Sequence, residues 1–279
     1  MKNILKIMLM MITIFTIAGS AVYAAEIPVS DQDQLITSRD WTEISNLQDE
    51  MKKEEPDATI DYDKALKVYV DCNLIKLQTA DTKKLTSALE SANYVWVIPF
   101  KMEKTYGMFT VAKGLPLREE AKSVLTKAEQ EEVKNHAGKW MITETAEHTV
   151  EPYYDILLEK REALSDCTRV VLVGSQPGMR QPVALGMDDE TARIWISLGY
   201  QYPVMKKIPE TQNVESGVYS FDSVAEISDT YIEDSEVSTG AGVQSRSSMK
   251  YVAGIGIIVI GSILIFSVLK KKKLEQSGE

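Results

Sequence analysis

The sequence predicts an α+β fold: one extracellular domain of antiparallel strands with interspersed helices, followed by a single C-terminal transmembrane helix. Three observations predict it. Short runs with period-two alternation at 65–77, 94–113 and 169–198 are bounded by turn residues, as antiparallel strands are. Capped stretches with 3.6-residue apolar spacing lie between these runs without strict strand–helix alternation, which favours α+β over a doubly wound sheet. The third is a stretch of 19 uncharged residues, 251–269, of which 12 are Val, Ile, Leu or Phe, leading straight into four lysines at 270–273. At about 1.5 Å per residue a helix of that length spans about 28 Å, close to the hydrocarbon thickness of a bilayer.

The chain begins with Lys2 and Lys6, an apolar centre at 7–18 and the small-x-small string Val22-Tyr23-Ala24. That is the layout of a secretory signal over 1–24, cut after Ala24. The lysines at both ends favour the cytoplasmic side, so the intervening residues face outward. The expected organisation is therefore a signal peptide 1–24, an extracellular domain 25–207, an acidic Ser/Thr-rich linker 208–250, a transmembrane helix 251–269 and a cytoplasmic basic tail 270–279. This places the protein in the plasma membrane of a bacterium, single-pass, with its N-terminal domain outside. The layout resembles that of cell-wall-anchored Gram-positive proteins but departs from it at the sorting signal. No Leu-Pro-x-Thr-Gly is present, and the nearest string, Val237-Ser238-Thr239-Gly240, lacks the proline. The apolar helix is accordingly expected to stay in the bilayer.

Within the domain, Trp41, Ile44, Leu47 and Met51 form a helical stripe over 40–54. Residues 65–77 alternate as Val68, Val70, Cys72 and Leu74, a strand. Asp81 caps a helix with Leu85, Ala88, Leu89 and Ala92 on one face. Tyr94, Trp96, Ile98, Phe100 and Met102 share one side of the next strand, and Val95 and Val97 the other, as in a strand covered on both faces. Pro99 within it signals a bulge or an open edge nearby. Residues 103–107 turn the chain into a return strand over 108–113. Thr126-Lys127-Ala128-Glu129 is a capping box, and Gly138 stands where that helix ends. A strand over 139–145 and a helix opened by Pro152 follow. Residues 169–174, 182–187 and 192–198 read as a three-stranded meander. From 208 to 245 there is no Lys or Arg but eight acids and ten Ser or Thr, a linker composition. Within it, 218–232 carries enough Val, Tyr, Phe and Ile to add a strand. A fragment ending at Lys207 is nonetheless expected to fold alone.

The chain holds 31 basic and 41 acidic residues; leaving out the flanks, 25–249 keeps 24 and 39. So acidic an outer part disfavours nucleic acid as a partner. The partners it predicts are the lipid bilayer, through 251–269, and a membrane or envelope protein. Two cysteines, Cys72 and Cys167, leave two readings side by side in an exported domain: one disulfide, or buried free thiols. Two histidines, His136 and His148, have no metal-site spacing. The acid clusters Asp57/Asp61/Asp63 and Asp188/Asp189/Glu190 do not match a calcium loop. No nucleophile elbow or phosphate loop appears, so no catalytic, cofactor-binding or metal residue is named and no cofactor is expected. Tyr94, Trp96 and Phe100 read as core rather than a ligand cage. The function expected on these grounds is noncatalytic: binding, sensing or an envelope-accessory role at the cell surface. The alternative is a membrane-tethered extracellular hydrolase whose site is assembled from residues distant in sequence.

Overall fold

A computed structural model describes residues 27–148, 152–174, 176, 182–198, 207–208 and 213–227. The segment 1–24 read as a signal peptide, the apolar stretch 251–269 and the tail 270–279 lie outside the described residues. Among the described residues no helix is long and apolar enough to cross a membrane.

The fold is mixed α+β, built on one large, mostly antiparallel sheet. In chain order its elements are α1 (Trp41–Ser45), α2 (Gln48–Glu54), β1 (Thr59–Ile60), β2 (Leu66–Tyr69), α3 (Thr82–Ser91), β3 (Tyr94–Lys101) and β4 (Tyr106–Lys113). There follow α4 (Glu119–Lys122), α5 (Lys127–His136), β5 (Trp140–His148), α6 (Tyr153–Glu159), β6 (Arg169–Val173), β7 (Val183–Met187), β8 (Ala192–Ser197), β9 (Asn213–Glu215) and β10 (Val218–Ser220). A last helical segment, α7, covers 221–227. The strand order is β5-β4-β3-β2-β6-β7-β8-β10-β9, with β1 pairing β3 beyond the end of β2. Two antiparallel blocks thus meet at one parallel pair, β2 and β6, in register Val68↔Leu172 and Tyr69↔Val173. The meander β6-β7-β8 and the hairpin β3-β4 are those the alternation predicts. Pro99 faces the gap between β1 and β2: their partners on β3 are Phe100 and Val97, and the missing donor falls where the ladder is already broken.

Both faces of the sheet are covered. On one face, α1 and α2 lay Ile44 and Met51 over Trp96, Ile98, Phe100, Phe109 and Val111. On the same face α3 and α7 lay Leu85, Leu89, Phe221 and Val224 over Val171, Val173, Leu185 and Trp195. The opposite face takes Tyr153 and Leu157 of α6, with Leu164, against Val68, Val170, Leu172 and Ala184. Capping chemistry sets the helix starts: Asp81 accepts from the Lys84 amide, and Thr126 and Glu129 close the capping box of α5. Gly138 stops that excursion with φ +76°, a conformation that suits glycine.

Three expectations are corrected. The strand read over 65–77 ends at Tyr69, and Cys72 and Leu74 leave the alternation to join a core on the other face from Val68. The stripe at 40–54 breaks into two helices at Asn46–Leu47. Residues 213–227, assigned by composition to the linker, belong to the fold. β10 pairs β8 along Val218↔Ile196, Tyr219↔Trp195 and Ser220↔Ile194, and Val218, Tyr219, Phe221 and Val224 are buried. The acids of that stretch misled, because Asp222 and Glu226 are on its exposed side.

Candidate functional site

The candidate site is where β2 and β6 part. Above Val68 and Leu172 the strands pair directly; below, the N-terminal segment enters between them. Val29 bridges to Val170 in parallel and Gln34 to Leu66 in antiparallel sense. The Val170 amide donates to Pro28 O at 2.8 Å, and the Leu35 amide to Ala65 O at 3.2 Å. The chain crossing this fork makes a 3-10 turn, Asp31–Asp33, that ends on the buried Asp33. Alternation along the strands brings Lys67, Tyr69 and Arg169 to the same face.

Asp33 is 2% exposed, and both oxygens of its carboxylate accept hydrogen bonds. The Tyr69 hydroxyl donates to Oδ1 at 2.8 Å, and Ser30 Oγ and Arg169 Nη2 donate to Oδ2 at 2.6 and 3.0 Å. Lys67 Nζ stands 3.5 Å from Oδ1 and also donates to the Gln32 carbonyl. Lysines are rarely buried without a partner, and Lys67 has an aromatic wall as well. Its Nζ is 4.7 Å from the Tyr94 ring centroid, 5.3 Å from Trp96 and 5.8 Å from Tyr69. Beyond the rings lies a second buried acid. Asp40 Oδ2 accepts from the Tyr94 hydroxyl at 2.8 Å and Trp96 Nε1 at 3.1 Å, while the exposed Arg39 stands 3.9 Å from Oδ1.

The charges follow from these contacts. Burial by itself would raise the Asp33 carboxyl; Ser30, the Arg169 guanidinium and Tyr69 outweigh it and hold the group below the usual carboxylate range. Burial lowers the Lys67 ammonium, and the Asp33 charge only partly restores it. Tyr69 and Tyr94 are pushed up, first by burial and then by their acidic partners. The site is a water-poor cation–carboxylate cluster rather than an open cleft.

At the other end of the parallel pair the two strands send the chain in opposite directions, the place where open sheets present crevices. Here it is closed by Gln176, 3% exposed, whose amide donates to Cys72 O at 2.6 Å and Gly174 O at 2.9 Å and accepts from the Leu74 amide at 3.1 Å. Beside it a shallow groove of about 260 Å³ is lined by Asp71, Cys72, Leu74, Leu77, Ala88 and Ser91. Its polar groups are engaged locally: Asp71 with Asn93, and Ser91 Oγ with the Ala88 carbonyl.

Cys72 and Cys167 are both free and buried. They belong to cores on opposite faces and lie past opposite ends of the β2–β6 pair. The rise from Arg169 to Val173 alone, at about 3.3 Å per residue, sets their levels about 13 Å apart, well past disulfide reach. Burial pushes each thiol up to about 11. The acid clusters are also placed: Asp61 and Lys64 are 3.9 Å apart, and Asp188 closes the β7–β8 turn. Among the described residues no group of acids, histidines and cysteines is placed to hold a metal ion. Trp96 and Phe100 are core, whereas Tyr94 is half-buried over Lys67.

Sequence reasoning missed Asp33, Asp40, Lys67, Tyr69 and Arg169. The one local signal was Lys67-x-Tyr69 inside an apolar strand, a cation and a phenol on one inward face. No family model, no curated protein and no solved structure matches this chain.

Proposed function

We propose that this protein is a noncatalytic domain, held on the outer face of a bacterial membrane by 251–269, that binds a membrane or envelope protein. The observation that carries the noncatalytic part is the engagement of the site's own groups. The Asp33 carboxylate is bound by Ser30, Tyr69, Lys67 and Arg169, Asp40 by Tyr94 and Trp96, and both thiols are held neutral by burial. A general base or nucleophile needs a free lone pair aimed at a substrate-sized space, and these lone pairs point into the fold. The anchor is supported by the uncharged stretch at 251–269 with its lysine run, and outward display by the lysine-led segment at 1–24.

Four measurements test this. Carbonate-washed membranes should retain the full chain and lose it when 251–269 is deleted, and protease added to intact cells should remove the domain. Recovery from the cytosol, or protection of the domain, would overturn the placement. Cross-linking on intact cells should give one defined species with another envelope protein. Turnover of an ester, peptide or glycoside by the purified ectodomain, abolished by one side-chain substitution, would establish the hydrolase instead.

A further inference from the structure

We propose that Lys67 and Asp33 are joined in the mature protein by an intramolecular amide bond between Nζ of Lys67 and Cγ of Asp33. Among the described residues these two and Asp40 are the only buried charged side chains. Lys67 Nζ stands 3.5 Å from Asp33 Oδ1, so the amine lies against the carboxyl group whose Cγ it would attack. Three rings, those of Tyr94, Trp96 and Tyr69, surround the amine and keep out the water that would hydrolyse an amide. Tyr69 and Arg169 donate to the two oxygens of the carboxylate at 2.8 and 3.0 Å, where they would hold the negative charge of a tetrahedral intermediate.

The step balances without an oxidant or co-reactant. The Lys67 ammonium passes one proton to the Asp33 carboxylate, the resulting amine attacks Cγ of the acid, and the nitrogen's second proton follows to the leaving oxygen. The C–N bond forms, one C–O bond breaks, and the departing oxygen leaves with both protons as water. An ammonium and a carboxylate become a neutral amide. Burial drives this direction, because an ion pair is penalised for leaving water far more than an amide is. Burial also lowers the Lys67 ammonium, which favours the free amine. Ser30, Arg169 and Tyr69 hold Asp33 as its carboxylate, so passing it the first proton is the uphill step. The bond would tie the N-terminal segment covalently to the central strand of the sheet, in a domain whose two cysteines are too far apart to do so. It does not depend on where the domain is displayed.

The test is the intact mass of the purified full chain after denaturation, followed by peptide mapping. The expected protein is lighter than its sequence by one water, with the peptides carrying Asp33 and Lys67 recovered as one linked species. Lys67→Arg keeps the charge but should show the full sequence mass. A full-mass native protein whose Asp33 and Lys67 peptides separate overturns the proposal and leaves an ordinary buried ion pair. A water lost within a single peptide, and lost equally in Lys67→Arg, overturns it as well, since that is a cyclised aspartate elsewhere. The native mass decides even if Lys67→Arg fails to fold.

Discussion

Phe221 packs on Trp195 with ring centroids 6.0 Å apart and planes at 48°. Phe221 begins α7, whereas Trp195 is wholly buried in β8, the third strand of the meander. This pair fastens a segment of linker-like composition onto the core, and it decides where the domain ends.

A fragment ending at Lys207 should therefore fail to fold cooperatively, whereas one ending at Ile227 should fold. The shorter one leaves the β8 edge unpaired and Trp195 without Tyr219, Phe221 and Val224 over it. In the longer fragment Phe221→Ala should cost about 3–5 kcal/mol. Urea denaturation followed by tryptophan fluorescence reads both, and a cooperative transition in the shorter fragment would refute this boundary.

Gly107 lies opposite Phe100 on β3, with the Phe100 ring over it. A Cβ there would come within 2.0–2.7 Å of three ring atoms. Gly107→Ala should destabilise by about 1–3 kcal/mol through overpacking. An unchanged denaturation midpoint would mean that the ring swings away freely.

Asp188 takes the amides of Glu190 and Thr191 and the guanidinium of Arg193. The Thr191 amide first, then Arg193 and Glu190, hold its carboxyl down at about 2, from an ordinary 3.8. A carboxyl depressed in the folded state stabilises fully above its unfolded value and loses that contribution as pH falls through the folded one. Stability should thus decline between about pH 4 and pH 2, and Asp188→Ala should flatten that decline. Thermal unfolding across this window, compared between the two proteins, checks it; identical slopes would exclude Asp188 as a source.

Cys72 and Cys167 should both be reduced in the native protein and inert while it is folded, because their thiols are buried and raised to about 11. A thiol reagent should modify neither in the native state and both in guanidinium. A disulfide-linked peptide pair would contradict the separation of the two residues across the sheet.

Local signals carried much of the architecture. The hairpin at 94–113, the meander at 169–198, the capping box at Thr126 and the stop at Gly138 are where alternation, turn residues and caps place them. These features depend on contacts within a few residues, so short-range spacing encodes them. The uncharged stretch at 251–269 and its lysine run are properties of the sequence alone and lie outside the described residues.

Tertiary structure alone decided the rest. The parallel pairing of β2 with β6 joins residues about a hundred positions apart, and nothing in either strand names its partner. The early end of β2 depends on Gln176, which draws the chain out of the sheet through Cys72 and Leu74. Membership of 213–227 in the domain depends on β8 offering an open edge. Above all, the Asp33–Lys67–Arg169 cluster gathers residues from a turn and two strands, and Asp33 in sequence is one acid among 41. A buried charge is defined by what surrounds it, and that surrounding exists only once the sheet has closed over the N-terminal segment.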